Sequence, residues 1–492
     1  MPPNILLITT DQQRVDTLGA YGNDVVRTPN LDALAAQGTT FDRAYTPTAI
    51  CTPARASMIS GLMPHQHNLL ANFERNVGFQ EELELSDTIV PFSYPLRDAG
   101  YDVYNVGKWH IGKKKGPNAF GFEGVHYPGW GQPVKHPDYL RYLEANDLPP
   151  FEVHDEVRGN FPNGLPGNVT AGVYDGPAEG TFTYFLAERA IEQLRVAAQV
   201  FRDEQRPFFL ALQFFGPHLP YYLPKAYFDL YDPADITLPD SFAETFENKP
   251  QVQRNYCAHW CADQFSAAEW RKLIAVYWGY VTLIDEQVGR VMEVLQNEGL
   301  LDSTAVGFTS DHGAFVGAHR LQDKGPAMYE DIYCIPLILR LPDAPAGQRR
   351  GDFVSLIDLA PTFLNLAGVE VPKSYVGRDL SPLVRGEEDP RWRPYITAEF
   401  HGHHFPYPQR MICSERYKLV VNPADVNEFY DLGTDPHELE NRIDDPHYED
   451  ERNKLYRELY QHLKAQGDNF YHWMTSMFPV GEGAVDASLS QF

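Results

Sequence analysis

Cys51, Pro53 and Arg55 occupy alternate positions in a short segment whose residue types could do chemistry. Proline suits the first turn of a helix, so the segment predicts a helix that begins near Cys51 and carries Arg55 one turn further along the same face. Backbone N–H groups, the helix dipole and a guanidinium would then meet beside the thiol, and such an arrangement binds anions. An ordinary helix start with a buried cysteine is the alternative.

Other residues capable of chemistry directly follow apolar runs of strand length. The runs and the residues after them are 4–10 with Asp11, 101–106 with Lys108 and His110, 208–214 with His218, and 304–309 with Asp311 and His312. In open α/β sheets ligands bind beyond the carboxyl ends of the strands. We therefore expect these four strand ends to converge on one site.

The elements that must position these residues form an α/β pattern. The apolar runs alternate with helical periodicity over 183–200 and 267–297, which predicts a large doubly wound, mixed or parallel sheet sandwiched by helices. Residues 127–180 are rich in proline, glycine and aromatic residues, and we expect a surface insertion that shapes the pocket.

The pattern changes near residue 388. Short strands at 411–413, 417–422 and 428–432, followed by a helix at 455–466, predict a smaller antiparallel sheet plus a helix. We therefore expect a catalytic domain over 1–388 and a C-terminal α+β subdomain with a tail over 389–492. Two interpretations of 470–492 stay open, namely an arm that makes a homo-oligomer and a loose tail.

Composition excludes several classes of partner. The chain has 41 Lys and Arg against 67 Asp and Glu, a formal net charge of −26, so nucleic acid is a poor partner and an anionic substrate would need a local cationic pocket. No apolar run is long enough to span a bilayer, so we expect no membrane partner. The five cysteines predict reduced thiols. The start at Met1 without a basic leader predicts a cytoplasmic protein, or a periplasmic or secreted one if a leader was removed.

The segment around Cys51 closely resembles the Cys-x-Pro-x-Arg signature of the type I sulfatases, which belong to the alkaline phosphatase-like superfamily. The resemblance extends in order from Asp11 to the segment 428–438. It implies that a maturation enzyme oxidises Cys51 to formylglycine, and that the hydrated aldehyde attacks the sulfur of a sulfate monoester. The expected function is hydrolysis of a sulfated small molecule or saccharide, that is, a carbohydrate or aryl sulfate.

The resemblance also implies a metal site. It would consist of Asp11, Gln12, Asp311 and His312, with the modified Cys51 completing the shell. Ca²⁺ suits the oxygen ligands, and Mg²⁺ or Mn²⁺ are alternatives because an imidazole ligand makes Mn²⁺ more acceptable. The family pattern commonly has Asp where Gln12 stands and Asn where His312 stands, so the part played by Gln12 stays open.

Gly107-Lys108-Trp109-His110 resembles the family's Gly-Lys-x-His segment, whose Lys and His contact the sulfate and assist the leaving oxygen. His218 and Lys324 match two further family positions. The resemblance makes His218 or His110 the acid for the leaving group, and the other histidine could deprotonate the diol.

Three residues are candidates for substrate binding. Asn72 lies 21 residues beyond Cys51, where related formylglycine hydrolases place a polar residue against the transferred group. His401 and His403 follow a strand-like run and could reach the pocket rim from the C-terminal subdomain.

Two alternative functions stay open. One is a phosphonate monoester or phosphodiester hydrolase of the same superfamily, which shares the fold, the formylglycine and an Asp-plus-His metal pair. The other is a non-catalytic binder of sulfated glycans in which Cys51 stays unmodified.

Overall fold

The computed structural model describes residues 2–73 and 83–480. Its strands are β1 Asn4–Asp11, β2 Thr39–Tyr45, β3 Asp102–Gly107, β4 Val153–Val157, β5 Ala171–Tyr174, β6 Phe208–Pro217, β7 Tyr221–Pro224, β8 Thr304–Ser310, β9 Leu337–Arg340, β10 Gln348–Ser355, β11 Tyr395–Gly402, β12 Pro406–Ser414, β13 Tyr417–Val421 and β14 Glu428–Asp431. Its α-helices are α1 Pro29–Gln37, α2 Cys51–Ser60, α3 Pro64–His67, α4 Ser93–Asp98, α5 Pro137–Ala145, α6 Phe182–Glu204, α7 Lys225–Phe228, α8 Gln251–His259, α9 Ala267–Asn297, α10 Glu330–Tyr333, α11 Leu359–Leu366, α12 Ser381–Val384, α13 Glu449–Gln466 and α14 Tyr471–Met477.

A seven-stranded sheet in the order β10-β2-β9-β8-β1-β6-β3 forms the centre of the fold. The pairs β8–β1, β1–β6 and β6–β3 are parallel, whereas β9 runs antiparallel to both of its neighbours. This confirms the predicted mixed sheet. All eight residues of β1 are buried, as expected for a strand covered on both faces.

Helices cover both faces of this sheet. Successive residues of a strand point to opposite faces, so Leu6 and Ile8 join one apolar cluster, whereas Ile5 and Leu7 join another. The long helices α6 and α9 pack on the first of these faces. α9 spans the predicted range and begins with a capping box between Ser266 and Glu269, which satisfies backbone N–H groups that the first turn leaves free.

The predicted small antiparallel sheet is also confirmed, in the order β11-β12-β13-β14. Its apolar face packs with α13 and α14 in a third cluster that includes Leu419, Phe429 and Leu459. α14 falls within the range 470–492 for which an arm or a tail was expected, and residues 481–492 of that range lie outside the described residues.

The insertion at 127–180 contains more regular structure than its composition indicates. β4 and β5 form a second small sheet with β7, and α5 begins at Pro137, where His136 accepts a hydrogen bond from the Asp138 N–H. Tyr139 of α5 is fully buried. Proline at the first helical position was the available signal for α5.

None of the helices within 2–73 and 83–480 combines the length and the apolar character that crossing a bilayer requires.

Lys418 of β13 joins the small sheet to the rest of the molecule. Its Nζ lies 2.8 Å from Glu330 Oε1 and 2.7 Å from Glu438 Oε1, and its side chain has no exposed area. Burial raises the pKa of Glu438 to about 7 even though Lys418 opposes that change.

We expect Lys418→Met to lower the free energy of unfolding by about 3–5 kcal/mol, because it leaves the buried Glu438 and the partly buried Glu330 without their cation. Urea denaturation monitored by circular dichroism measures the loss. Lys225→Met is the matched control, since the Lys225 side chain is 77% exposed and solvent screens its ion pair with Asp229. Equal losses in the two variants would contradict the assigned role of Lys418.

Candidate active site

The carboxyl ends of four neighbouring strands meet at one edge of the central sheet. β1 ends at Asp11, β8 leads into Asp311 and His312, β6 leads into His218, and β3 leads into Lys108. The strands are parallel and adjacent in the order β8-β1-β6-β3, so residues far apart in sequence come together there. The predicted convergence is what the sheet order produces.

Four side chains at this edge form a buried cluster whose possible ligand atoms all lie within 4.8 Å of one another, namely Asp11, Cys51, Asp311 and His312. The Cys51 Sγ lies 3.2 Å from His312 Nε2 and 3.8 Å from Asp11 Oδ1. His312 Nδ1 lies 2.8 Å from the Gly313 carbonyl oxygen, to which it can donate. The Nε2 lone pair is then left for the cluster, and burial lowers the pKa of His312, which keeps the ring neutral.

Gln12 is held beside this cluster in a left-handed conformation, with φ at 66°. Its N–H donates to Asp311 Oδ1 at 3.1 Å, and its carbonyl accepts from the Tyr277 hydroxyl at 2.8 Å. Its side-chain Nε2 donates to Asp323 at 2.8 Å, whereas its buried Oε1 has no hydrogen-bond partner. A buried amide oxygen without a donor fits a hard metal ligand.

The donor set therefore fits a divalent ion. Asp11, Asp311 and Gln12 offer oxygen atoms and His312 offers a nitrogen, a set that suits Ca²⁺ or Mg²⁺ and accommodates Mn²⁺ through the imidazole.

Helix α2 begins at Cys51, as predicted, and places Arg55 behind the cluster. The Arg55 guanidinium lies 2.9 Å from Asp311 Oδ2 and 3.1 Å from Asp11 Oδ2, and a third contact joins it to Gln213 Oε1 at 2.7 Å. The sequence led us to expect this guanidinium beside an anion at Cys51. Its donors are instead directed at the two carboxylates, so Arg55 positions the site.

Lys108 provides the second cation at Asp11. Its Nζ lies 2.6 Å from Asp11 Oδ2 and 2.8 Å from the carbonyl oxygen of Trp130. Burial alone would raise the pKa of Asp11, but the positive charges of Lys108 and Arg55 hold it well below its usual value. Asp11 is therefore a carboxylate at neutral pH.

His218 and Lys324 form a buried pair. Lys324 Nζ lies 2.7 Å from His218 Nε2, and His218 Nδ1 lies 2.5 Å from the Leu219 carbonyl oxygen. Nδ1 must donate to that carbonyl, so Nε2 accepts from the lysine. Burial, reinforced by Lys324, holds the pKa of His218 well below its usual value.

A cavity of about 260 Å³ opens over this pair. Its lining includes three predicted residues besides Lys324, namely Asn72, His218 and His403. Asn72 Oδ1 also accepts from the Thr52 N–H at 3.0 Å, which caps the start of α2.

Two predicted residues are not part of the cavity lining. His401 does not line this cavity, since its Nε2 lies 2.7 Å from Glu399 Oε2. His110 is buried with its ring edge-on to Phe73 at 5.0 Å, and its catalytic role stays a prediction.

Sequence reasoning missed the residues that support the site. Gln213 accepts a hydrogen bond from Arg55, and Asp323 accepts one from the Gln12 side chain. The Tyr277 hydroxyl donates to the Gln12 carbonyl, and the Trp130 carbonyl accepts from Lys108. Asp323 directly precedes the predicted Lys324, and Gln213 lies in the apolar run of β6. Closeness in sequence to predicted elements was therefore the only indication that these two residues belong to the site. Trp130 and Tyr277 carried no signal.

Two family models match the chain. The sulfatase model matches residues 3–369, and the model for the C-terminal part of N-sulphoglucosamine sulphohydrolase matches residues 317–465. An uncharacterised sulfatase of Escherichia coli, YidJ, is 30% identical over 490 residues, which cover 97% of this chain and 90% of that protein. An arylsulfatase of Clostridium perfringens is 29% identical, with 96% of each chain covered.

A solved structure of a phosphonate monoester hydrolase from Silicibacter pomeroyi superposes with a TM-score of 0.77 at 25% identity. The superposition covers 95% of this chain and 96% of that one.

We expect Arg55→Met to lower the free energy of unfolding in EDTA by about 3–5 kcal/mol, because two buried carboxylates lose a shared cation. Added Ca²⁺ should recover part of the loss, since a bound cation replaces the missing charge. Urea titrations with and without Ca²⁺ measure both effects. Arg141→Met is the control, because the Arg141 side chain is 69% exposed. A loss in Arg55→Met no larger than in the control would refute the positioning role.

Proposed function

The chain belongs to the sulfatase family and is a sulfuric ester hydrolase, and from that premise we propose that it cleaves a carbohydrate or aryl sulfate monoester with a nucleophile made from Cys51. The observation that carries the proposal is the position of the Cys51 sulfur, at the start of α2 and 3.2 Å from His312 Nε2 within the buried cluster. A cysteine that served only for packing would be expected among apolar side chains, whereas Cys51 is surrounded by two carboxylates and an imidazole.

Two groups would complete this site. A divalent ion held by Asp11, Gln12, Asp311 and His312 would supply Lewis acidity to the attacking oxygen and the sulfate. Conversion of Cys51 to formylglycine by a maturation enzyme would supply a geminal diol as nucleophile in place of the thiol.

The side chains of this protein then bind the ester and handle protons. Lys108 and Lys324 place ammonium groups at the site, and they stabilise negative charge on the sulfate oxygens as the ester bond breaks. The Lys324–His218 pair shares a proton at the cavity wall, and we assign to it the protonation of the leaving oxygen. His218 exchanges that proton only at Nε2, because Nδ1 is committed to Leu219. His110 is the alternative acid.

A phosphonate monoester is the second candidate substrate. The likeness to a phosphonate monoester hydrolase and the pairing of Asp311 with His312 favour it. The presence of Lys108 at Asp11 favours the sulfate ester, because Lys108 matches the Lys of the sulfatase Gly-Lys-x-His segment.

We expect mass spectrometry of the peptide that contains residue 51 to show the mass decrease that accompanies conversion of a thiol to an aldehyde. Cys51→Ala should abolish sulfate ester hydrolysis, because the nucleophile is lost. Cys257→Ala is the matched control, since this second buried thiol lies against the Arg320 carbonyl oxygen. A fully active preparation that contains only unmodified thiol would overturn the mechanism.

We expect kcat/KM for a sulfate monoester to exceed that for a phosphonate monoester with the same leaving group. Parallel assays of 4-nitrophenyl sulfate and 4-nitrophenyl phenylphosphonate, each corrected for its uncatalysed rate, compare the two. The reverse order would make the second candidate the main activity.

A further inference from the structure

Trp130 is an exposed indole attached to a firmly held backbone. It lies between Gly129 and Gly131, and its side chain is 42% exposed although tryptophan is the largest apolar residue. Gly129 has φ at +86°, a left-handed conformation that favours glycine and turns the chain before the indole.

Two hydrogen bonds hold this turn in place. The Trp130 carbonyl accepts from Lys108 Nζ at 2.8 Å, and the same ammonium lies 2.6 Å from Asp11 Oδ2. Two residues further on, Gln132 Nε2 donates to the Tyr280 hydroxyl at 2.6 Å. The Trp130 carbonyl and the Gln132 side chain are therefore both tied to the interior, and the first of these contacts reaches Asp11 of the buried cluster through Lys108.

The indole forms part of the cavity wall. Its ring centroid lies 5.4 Å from that of His218, with the two planes tilted by 42°. Further apolar side chains line the same cavity, namely Val169, Leu219, Pro220, Tyr222 and Trp260. Asp323 also lines the cavity, but its carboxylate is already engaged. It accepts a hydrogen bond from Gln12 Nε2 and lies 3.3 Å from Lys324 Nζ.

Trp130 and these side chains thus offer apolar surface next to the proton-handling pair, in a lining that also includes the polar side chains of Asn72, Asn168, His403 and His404. The part of a substrate that lies beyond the sulfate needs a face that can cover this surface, and an aromatic ring pairs with the indole through the offset or edge-to-face geometry that two aromatic rings favour.

Building on the proposed function, we infer that Trp130 is a specificity-determining residue whose indole stacks on the ring of an aryl sulfate, which makes aryl sulfates the preferred substrate class. Stacking holds the ring in the ground state and in the transition state alike. Loss of the indole therefore raises KM more than it lowers kcat.

The test compares two substrates and four forms of the enzyme. We measure kcat and KM for 4-nitrophenyl sulfate and for N-acetylglucosamine 6-sulfate with the wild type, Trp130→Ala, Trp130→Phe and Trp473→Ala. Trp473 of α14 is the matched control, because it is 39% exposed and does not line the cavity. Each variant is compared with the wild type on the same substrate, which cancels the difference in intrinsic reactivity.

We expect Trp130→Ala to lower kcat/KM for the aryl sulfate by about tenfold, mainly through KM, and that for the sugar sulfate by less than about threefold. Trp130→Phe should stay within about threefold of the wild type on both substrates, because it keeps an aromatic face and the backbone carbonyl. Trp473→Ala should change neither value.

Equal losses on both substrates in Trp130→Ala, or a loss in kcat alone, would overturn the inference and leave the proposed function intact. Failure of Trp130→Phe to restore the aryl sulfate reaction would overturn it as well. A wild-type protein that carries formylglycine at residue 51 and hydrolyses neither sulfate would instead remove the proposed function, and this inference with it.

Discussion

Two carboxylates without any exposed area, Asp11 and Asp311, lie together in the interior, and much of the site follows from the partners that they need there. An isolated buried carboxylate is unstable unless it is paired and hydrogen-bonded. Arg55 bridges the two carboxylates, and Lys108 makes a second ion pair with Asp11. These pairs fix the carboxylate oxygens around Cys51, so the arrangement that keeps the fold stable is also the one that organises the chemistry.

The sheet makes such pairing attainable. Asp11 ends β1 and Asp311 directly follows the adjacent parallel strand β8, and residues at the ends of adjacent strands lie about 5 Å apart. Arg55 reaches both because α2 begins beside them and carries it one turn inside the helix. Gln213 then accepts from Arg55 and donates to Asn105, so the guanidinium is held from the neighbouring strands β6 and β3. Helix α9 contributes Tyr277, whose hydroxyl donates to Gln12 and keeps that residue in its left-handed conformation.

Features that depend on local pattern were predictable from the sequence, and features that depend on the direction of a side chain were not. Apolar runs followed by Asp11, His218 and Asp311 give the strand ends and hence their convergence. The sequence predicted His401 and His403 equally as residues of the pocket rim. His401 lies in β11, two residues after Glu399 and on the same face of the strand, and it contacts the Glu399 carboxylate. His403 lies past the end of the strand and lines the cavity. The contact between Trp130 and Lys108 uses a backbone carbonyl, which every residue type possesses, so no sequence signal could reveal it.

The charge balance of the site explains how a chain with a formal net charge of −26 can take an anionic substrate. Among the residues that the structure describes, its buried carboxylates are Asp11, Asp311 and Asp323, and its buried cations are Arg55, Lys108 and Lys324. These six described charges cancel, so together they give little attraction for a sulfate ester. The unpartnered Oε1 of Gln12 and the neutral imidazole of His312 add ligands without adding negative charge. A divalent cation bound there would leave the pocket with an excess of about two positive charges in a medium of low dielectric constant, where their effect on an anion is much stronger than in water. A glutamine in place of a third carboxylate ligand would therefore preserve the positive potential that such an ion gives the pocket.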